Sequence, residues 1–109
     1  MTVLEVLKME LKELQGFTDE ELQIYLENND LASKESYVKT MRVQILQTAL
    51  DVLGSMANNQ SYFANKQHED LNISDFATNL QNRIDQLNIQ IRKLKIEQAN
   101  NSSFTMFRE

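Results

Sequence analysis

The chain has no cysteine, no proline and no tryptophan, and only two glycines among its 109 residues. Each absence narrows what it can be. Without cysteine there is no disulfide, no thiol nucleophile and no Cys-ligated metal, and a small secreted fold would usually depend on bridges. An all-β chain needs many turns built on Gly and Pro, so their scarcity favours helices. No apolar run approaches the ~18 residues of a membrane span. Residues 1–14 carry charges inside their apolar stretch, unlike a secretory signal, so synthesis inside the cell is expected. At this length one domain is expected, and 41% hydrophobic residues suffice for a modest core.

Net charge is −5, and it is unevenly spread. Residues 1–30 hold eight acids and two bases, whereas residues 31–109 hold eight acids and nine bases. An acidic N-terminal part disfavours a nucleic acid gripped by its phosphates, which needs a basic surface. It suits either a solvated face or a face that meets a basic partner or repels DNA.

Helical periodicity organises the rest. Thr2 and Glu5 fit a capping box, and Leu4, Leu7, Leu11 and Leu14 follow on one face, which predicts a helix over about 3–14 ended by Gly16. Thr18 and Glu21 form a second box, with Phe17 and Leu22 placed as a hydrophobic staple, so a second helix is predicted over about 19–29. It opens Asp19, Glu20, Glu21, which suits a helix dipole but not the reading of base edges. Ser33 is a suitable cap for a long third helix over about 34–57. Tyr37, Met41, Ile45, Thr48, Val52 and Met56 share one side of it. Val38, Leu46, Leu50, Leu53 and Ala57 lie beside them, so contact from at least two directions is expected.

Residues 58–72 read as a polar loop tethered by Tyr62 and Phe63, with a short extended piece at Leu71 and Ile73. Ser74 then caps a fourth helix, about 75–99. Phe76, Leu80, Ile84, Leu87, Ile91 and Leu94 repeat in heptad-like steps. This helix should pack antiparallel on the third. Ile89 and Ile96, seven apart, form a surplus apolar flank suited to a neighbouring subunit. The last residues, 101–109, depart from this pattern. Phe104, Met106, Phe107 and Arg108 follow a polar hinge, and Phe104 and Met106 alternate as in an extended tail. Such aromatics either fold back on the core or dock into another chain.

Chemistry is sparse. The one histidine, His68, stands beside Glu69 and Asp70 without the spacing of a metal site. There is no Gly-rich phosphate loop and no nucleophile elbow. Asn59, Asn72 and Asn101 begin glycosylation sequons that carry no weight without a secretion signal. No catalytic residues, metal or cofactor are expected, and the chain is not read as an enzyme. The expected fold is all-α: two short N-terminal helices and two long antiparallel ones, a polar loop, and an extended tail after a helical domain over 1–100.

This layout resembles a known family. Residues 37–53 read Y-V-K-T-x-R-x-x-I-L-x-T-A-L-D-V-L; they are followed by Asn-Asn-Gln-Ser-Tyr over 58–62, L-N-I-S over 71–74 and a Leu/Ile helix. In helix order, size and pattern the chain resembles the head–tail connector (adaptor, head-completion) proteins of long-tailed bacteriophages. The resemblance implies a virion protein assembled in the host cytoplasm, a ring of about twelve copies of one chain. Such a ring lies between the portal protein and a tail or stopper protein. It extends a channel that DNA crosses without sequence-specific binding, and no membrane is involved. In this family the C-terminal segment often grips the portal, which maps here onto Phe104, Met106, Phe107 and Arg108. Leu71, Ile73, Ile89 and Ile96 would then face neighbouring subunits. The alternative is a small helical regulator or adaptor acting through a coiled-coil dimer of residues 75–99.

Overall fold

Two capping boxes open the fold. The computed structural model describes residues 1–12, 16–60, 62–63 and 73–107, with the backbone alone at 73, 74 and 100–107. Glu5 N–H donates to Thr2 Oγ1 at 3.2 Å, and Thr2 N–H donates to Glu5 Oε1 at 2.8 Å. Helix α1 follows over Val3–Leu11. Thr18 and Glu21 repeat the arrangement at 3.2 and 2.9 Å, and α2 spans Asp19–Asn28. Each box gives partners to first-turn amides that a helix leaves open. Helix α1 is shorter than its leucine spacing predicts. It ends at Leu11, where Lys12 and not Gly16 takes a left-handed φ of 58°. Gly16, with φ 120°, lies instead in the connection to α2. Leu14 is outside the described residues.

The third helix departs most from expectation. It begins only at Arg42: a 3-10 turn over Lys39–Met41 leads into α3, Arg42–Asn58. Ser33 is therefore not its cap. The Ser33 carbonyl accepts Leu4 N–H at 3.1 Å, the Glu35 carbonyl accepts Val3 N–H at 2.8 Å, and Tyr37 N–H donates to the Met1 carbonyl at 2.9 Å. Thr2 and Ser36 form an isolated antiparallel bridge. The physical reason is an exchange of partners. Coiled into a helix, residues 33–37 would spend these carbonyls on themselves; lying beside the start of α1, they satisfy its open amides. Val38, expected among the packed residues, is exposed.

The last helix, α4, spans Ile73–Phe107. Ser74 is its second residue rather than its cap, and Ile73 is helical rather than extended. The expected break near Asn100 is absent, and the extended tail is replaced by helical backbone through Phe107. Expected contacts of Leu71 and Arg108 fall outside the described residues, as do His68, Glu69 and Asp70. The polar loop is shorter at its start than expected: Asn58 closes α3, and Phe63 N–H continues helically to the Asn59 carbonyl at 3.2 Å.

The all-α class holds, with α3 as its centre. Ile45, Leu46, Ala49, Val52, Leu53 and Met56 are buried along it. They meet Val3, Val6, Leu7 and Leu11 of α1, Leu22 and Leu26 of α2, and Phe76, Leu80, Leu87 and Ile91 of α4 in one core. Helices α1, α2 and α4 all pack on α3, and among the described residues the backbones of α2 and α4 do not approach each other closely. Thr48 is fully buried, and its Oγ1 donates to the Gln44 carbonyl at 2.7 Å, so its hydroxyl is not stranded. A polar seam fixes α2 on α3. Tyr25 and Ser55 hydroxyls lie 2.6 Å apart, and Asn29 Nδ2 donates to Asp51 Oδ2 at 3.0 Å. Phe17 stacks on buried Phe63 at 5.1 Å and meets Tyr25 edge-on at 5.7 Å.

The molecule measures 59 × 28 × 19 Å, with a radius of gyration of 16.0 Å. A compact chain of this length has ~13 Å. The excess is α4, which at 1.5 Å per residue is about 52 Å long, twice the length of α3.

Candidate assembly surface

Helix α4 has two apolar faces, and only one is used within the chain. The inner stripe of Phe76, Leu80, Leu87 and Ile91 is buried, with Ile84 and Leu94 half-buried beside it. Among the side chains described, Ile91 is the last buried one of the helix. From 92 to 107 the helix continues for about 24 Å at 1.5 Å per residue, and residues 92–99, Leu94 excepted, are exposed. Here the helix leaves the body that stabilises it. A free helix of Asn, Ser and Thr is a poor one, because these residues favour competing backbone conformations and isolated short helices are marginal in water. The overhang contains Asn100, Asn101, Ser102, Ser103 and Thr105.

The outer face carries Ile89 and Ile96, 50% and 53% exposed. At 100° per residue they stand within ~20° of each other and roughly opposite Leu87. Arg92 and Lys93, both exposed, flank them at ~50° to either side. The expected surplus apolar flank thus exists as an exposed surface, framed by two cations. Position 107 falls on the same side of the helix, eleven residues past 96, whereas 104 and 106 lie to its two sides. Phe104 and Met106 therefore do not share the alternating presentation of a strand.

Helix α4 is held where it crosses the body. Arg83 Nη2 donates to Glu10 Oε1 and to the Glu10 carbonyl, each at 3.0 Å, and Arg42 Nη1 approaches Glu10 Oε2 at 3.6 Å. Glu10 and Arg83 side chains are each only 18% exposed. One carboxylate at the end of α1 thereby joins the start of α3 to α4. No local pattern signals this node, because its members are separated by up to 73 positions.

A second exposed face lies on α2. Ile24 is 58% exposed, with Glu20, Glu21 and Glu27 around it on the solvent side. Residues 19–30 hold five acids and no base. At its far end, α2 and the segment after it border an open groove of about 760 Å³, lined by Glu27, Asp30, Lys34 and Glu35 among others. This groove is too open to enclose a small molecule. Glu5 has its carboxyl held below the usual range, first by the Thr2 backbone N–H and then by the Thr2 hydroxyl. That shift belongs to the helix cap and not to chemistry. Among the described residues no cluster of His, Cys, Asp or Glu is arranged to hold a metal ion, and no helix is long and apolar enough to cross a membrane.

Comparison of the chain with family models, with curated proteins and with solved structures gives no match.

Proposed function

We propose that the protein is a structural assembly subunit, a head–tail connector of the kind found in long-tailed bacteriophages. In this reading, copies form a ring between portal and tail in the virion, around a channel that DNA crosses without sequence-specific contact. The reading is carried by α4. One helix, framed by the body over half its length, exposes Ile89 and Ile96 on its outer side and runs on beyond the last core residue. Uncovered apolar surface on a helix that extends past its own core suits a part designed to be covered by another molecule. The segment from Asn101 to Glu109 is assigned the portal contact, and Ile89 and Ile96, with Leu71 and Ile73, the contact between subunits.

Deletion of residues 101–109 tests the assignment. Loss of particle assembly or of portal binding, with the helical content of residues 1–100 retained, supports it. Unchanged assembly and binding remove the docking role of the tail.

A second reading is a small adaptor that dimerises through α4. The seven-residue separation of Ile89 and Ile96 favours it, since that is coiled-coil spacing. Light scattering over a wide concentration range separates the two: a dimer with no higher state indicates the adaptor, and a closed higher oligomer indicates the ring.

A further inference from the structure

Two exposed faces of this chain are matched in shape of composition and opposite in charge. On α4 the apolar pair Ile89 and Ile96 is flanked by Arg92 and Lys93, with one exposed acid, Asp85, a turn before Ile89. On α2 the exposed Ile24 is flanked by Glu20 and Glu27 on one side and Glu21 on the other, by the same 100° rule. Both helices lean on α3 with these faces exposed, so neither face covers the other within one chain. We propose that the outer face of α4 docks on α2 of a second copy, with Ile89 and Ile96 against Ile24 and the two cations among its glutamates.

Charge decides between this pairing and the simpler one. If two α4 helices paired antiparallel with Ile89 of each copy on Ile96 of the other, Arg92 would stand opposite Lys93, and like charges placed opposite each other repel. If two α2 helices paired, glutamate would meet glutamate. The α4-to-α2 contact alone sets an apolar centre on an apolar centre inside a rim of opposite charge, the usual arrangement of a protein interface. Because the two surfaces differ, the contact is head-to-tail. After pairing, one copy keeps a free α2 face and the other a free α4 face, so association continues until a ring closes or a filament forms. The proposal deepens the assembly-subunit reading by naming the partner of that face, and it rests on that reading.

The test uses two charge-reversed full-length variants. The first is Arg92→Glu with Lys93→Glu; the second is Glu20→Lys with Glu27→Lys, which leaves the capping residue Glu21 in place. All four side chains are exposed, and circular dichroism confirms that each variant is folded. Self-association is measured by sedimentation from micromolar to millimolar concentration. Each variant alone is expected to associate at least tenfold more weakly than the wild type. An equimolar mixture is expected to recover wild-type association, because every α4 then finds an α2 of opposite charge. Association of either variant at wild-type strength, or a mixture that stays as weak as its components, overturns the proposal. A wild-type chain that stays monomeric throughout also overturns it. That last result leaves the connector reading standing if deletion of 101–109 still abolishes portal binding, so the two failures can be told apart.

Discussion

Arg83 of α4 and Glu10 at the end of α1 meet at 3.0 Å, and the same guanidinium also donates to the Glu10 carbonyl. The contact closes a span of 73 residues and ties down the helix that extends from the body. Charge-assisted hydrogen bonds of this kind, little exposed, contribute more than surface pairs. Arg83→Met is expected to lower stability by about 2 kcal/mol, measured by urea unfolding. A cost below about 0.5 kcal/mol would reduce the pair to an incidental surface contact.

Gly54 lies inside α3, and a β-carbon added there meets nothing within 4 Å. Its presence costs helix stability without a steric reason. Gly54→Ala is expected to raise stability by about 1 kcal/mol, read as a higher midpoint in thermal or urea unfolding. A loss of stability would mean that the position is needed for something other than packing within one chain.

The Thr18 cap is worth testing separately from the core. Thr18→Ala removes the acceptor for the Glu21 N–H and is expected to cost about 1 kcal/mol. Thr18→Ser keeps the acceptor and is expected to restore most of it. Equal losses in both variants would assign the effect to the methyl group instead.

Glu5 gives a pH dependence of known sign. Its carboxyl titrates below the usual range because the folded chain donates hydrogen bonds to the ionised form. The stabilisation is therefore present above the ordinary carboxylate pKa and is lost as pH falls through the lowered one. NMR titration should place Glu5 below the ordinary carboxylate range, and Thr2→Ala should move it part of the way back. A Glu5 that titrates in the ordinary range, in both proteins, contradicts the cap geometry.

Ile96 separates association from folding. It is 53% exposed and lies on α4 past buried Ile91, so Ile96→Ser is expected to change unfolding stability by less than about 0.5 kcal/mol. Self-association should weaken by roughly tenfold, since burial of such a side chain is worth about 1.5–3 kcal/mol. A large fall in stability instead would place Ile96 in the monomer's own packing.

How much of this could be read beforehand depended on the range of the interaction. The capping boxes at Thr2 and Thr18 were legible, because both partners lie within one turn. The buried stripe from Phe76 to Ile91 and the exposure of Ile89 and Ile96 were legible from helical period alone. The start of α3 was not. Tyr37 and Met41 fit the period of Ile45 and Val52, yet residues 33–37 stay outside the helix, and the carbonyls of Ser33 and Glu35 serve the amides of Leu4 and Val3, a demand made from far along the chain. The end of α4 was misjudged for the opposite reason: Asn and Ser at 100–103 look like a hinge locally, but the helix continues through them. The exposure of Ile24 at the centre of the acidic face emerges only from the fold.

Helices α2 and α4 are both mounted chiefly on α3, and α1 touches each of them. Whatever angle separates their outer faces is set by how the side chains of these helices interlock. In a head-to-tail assembly this angle fixes the curvature, and with it the number of copies that closes a circle. A slight repacking deep in the subunit, far from any contact between copies, would then turn up as a ring of a different size.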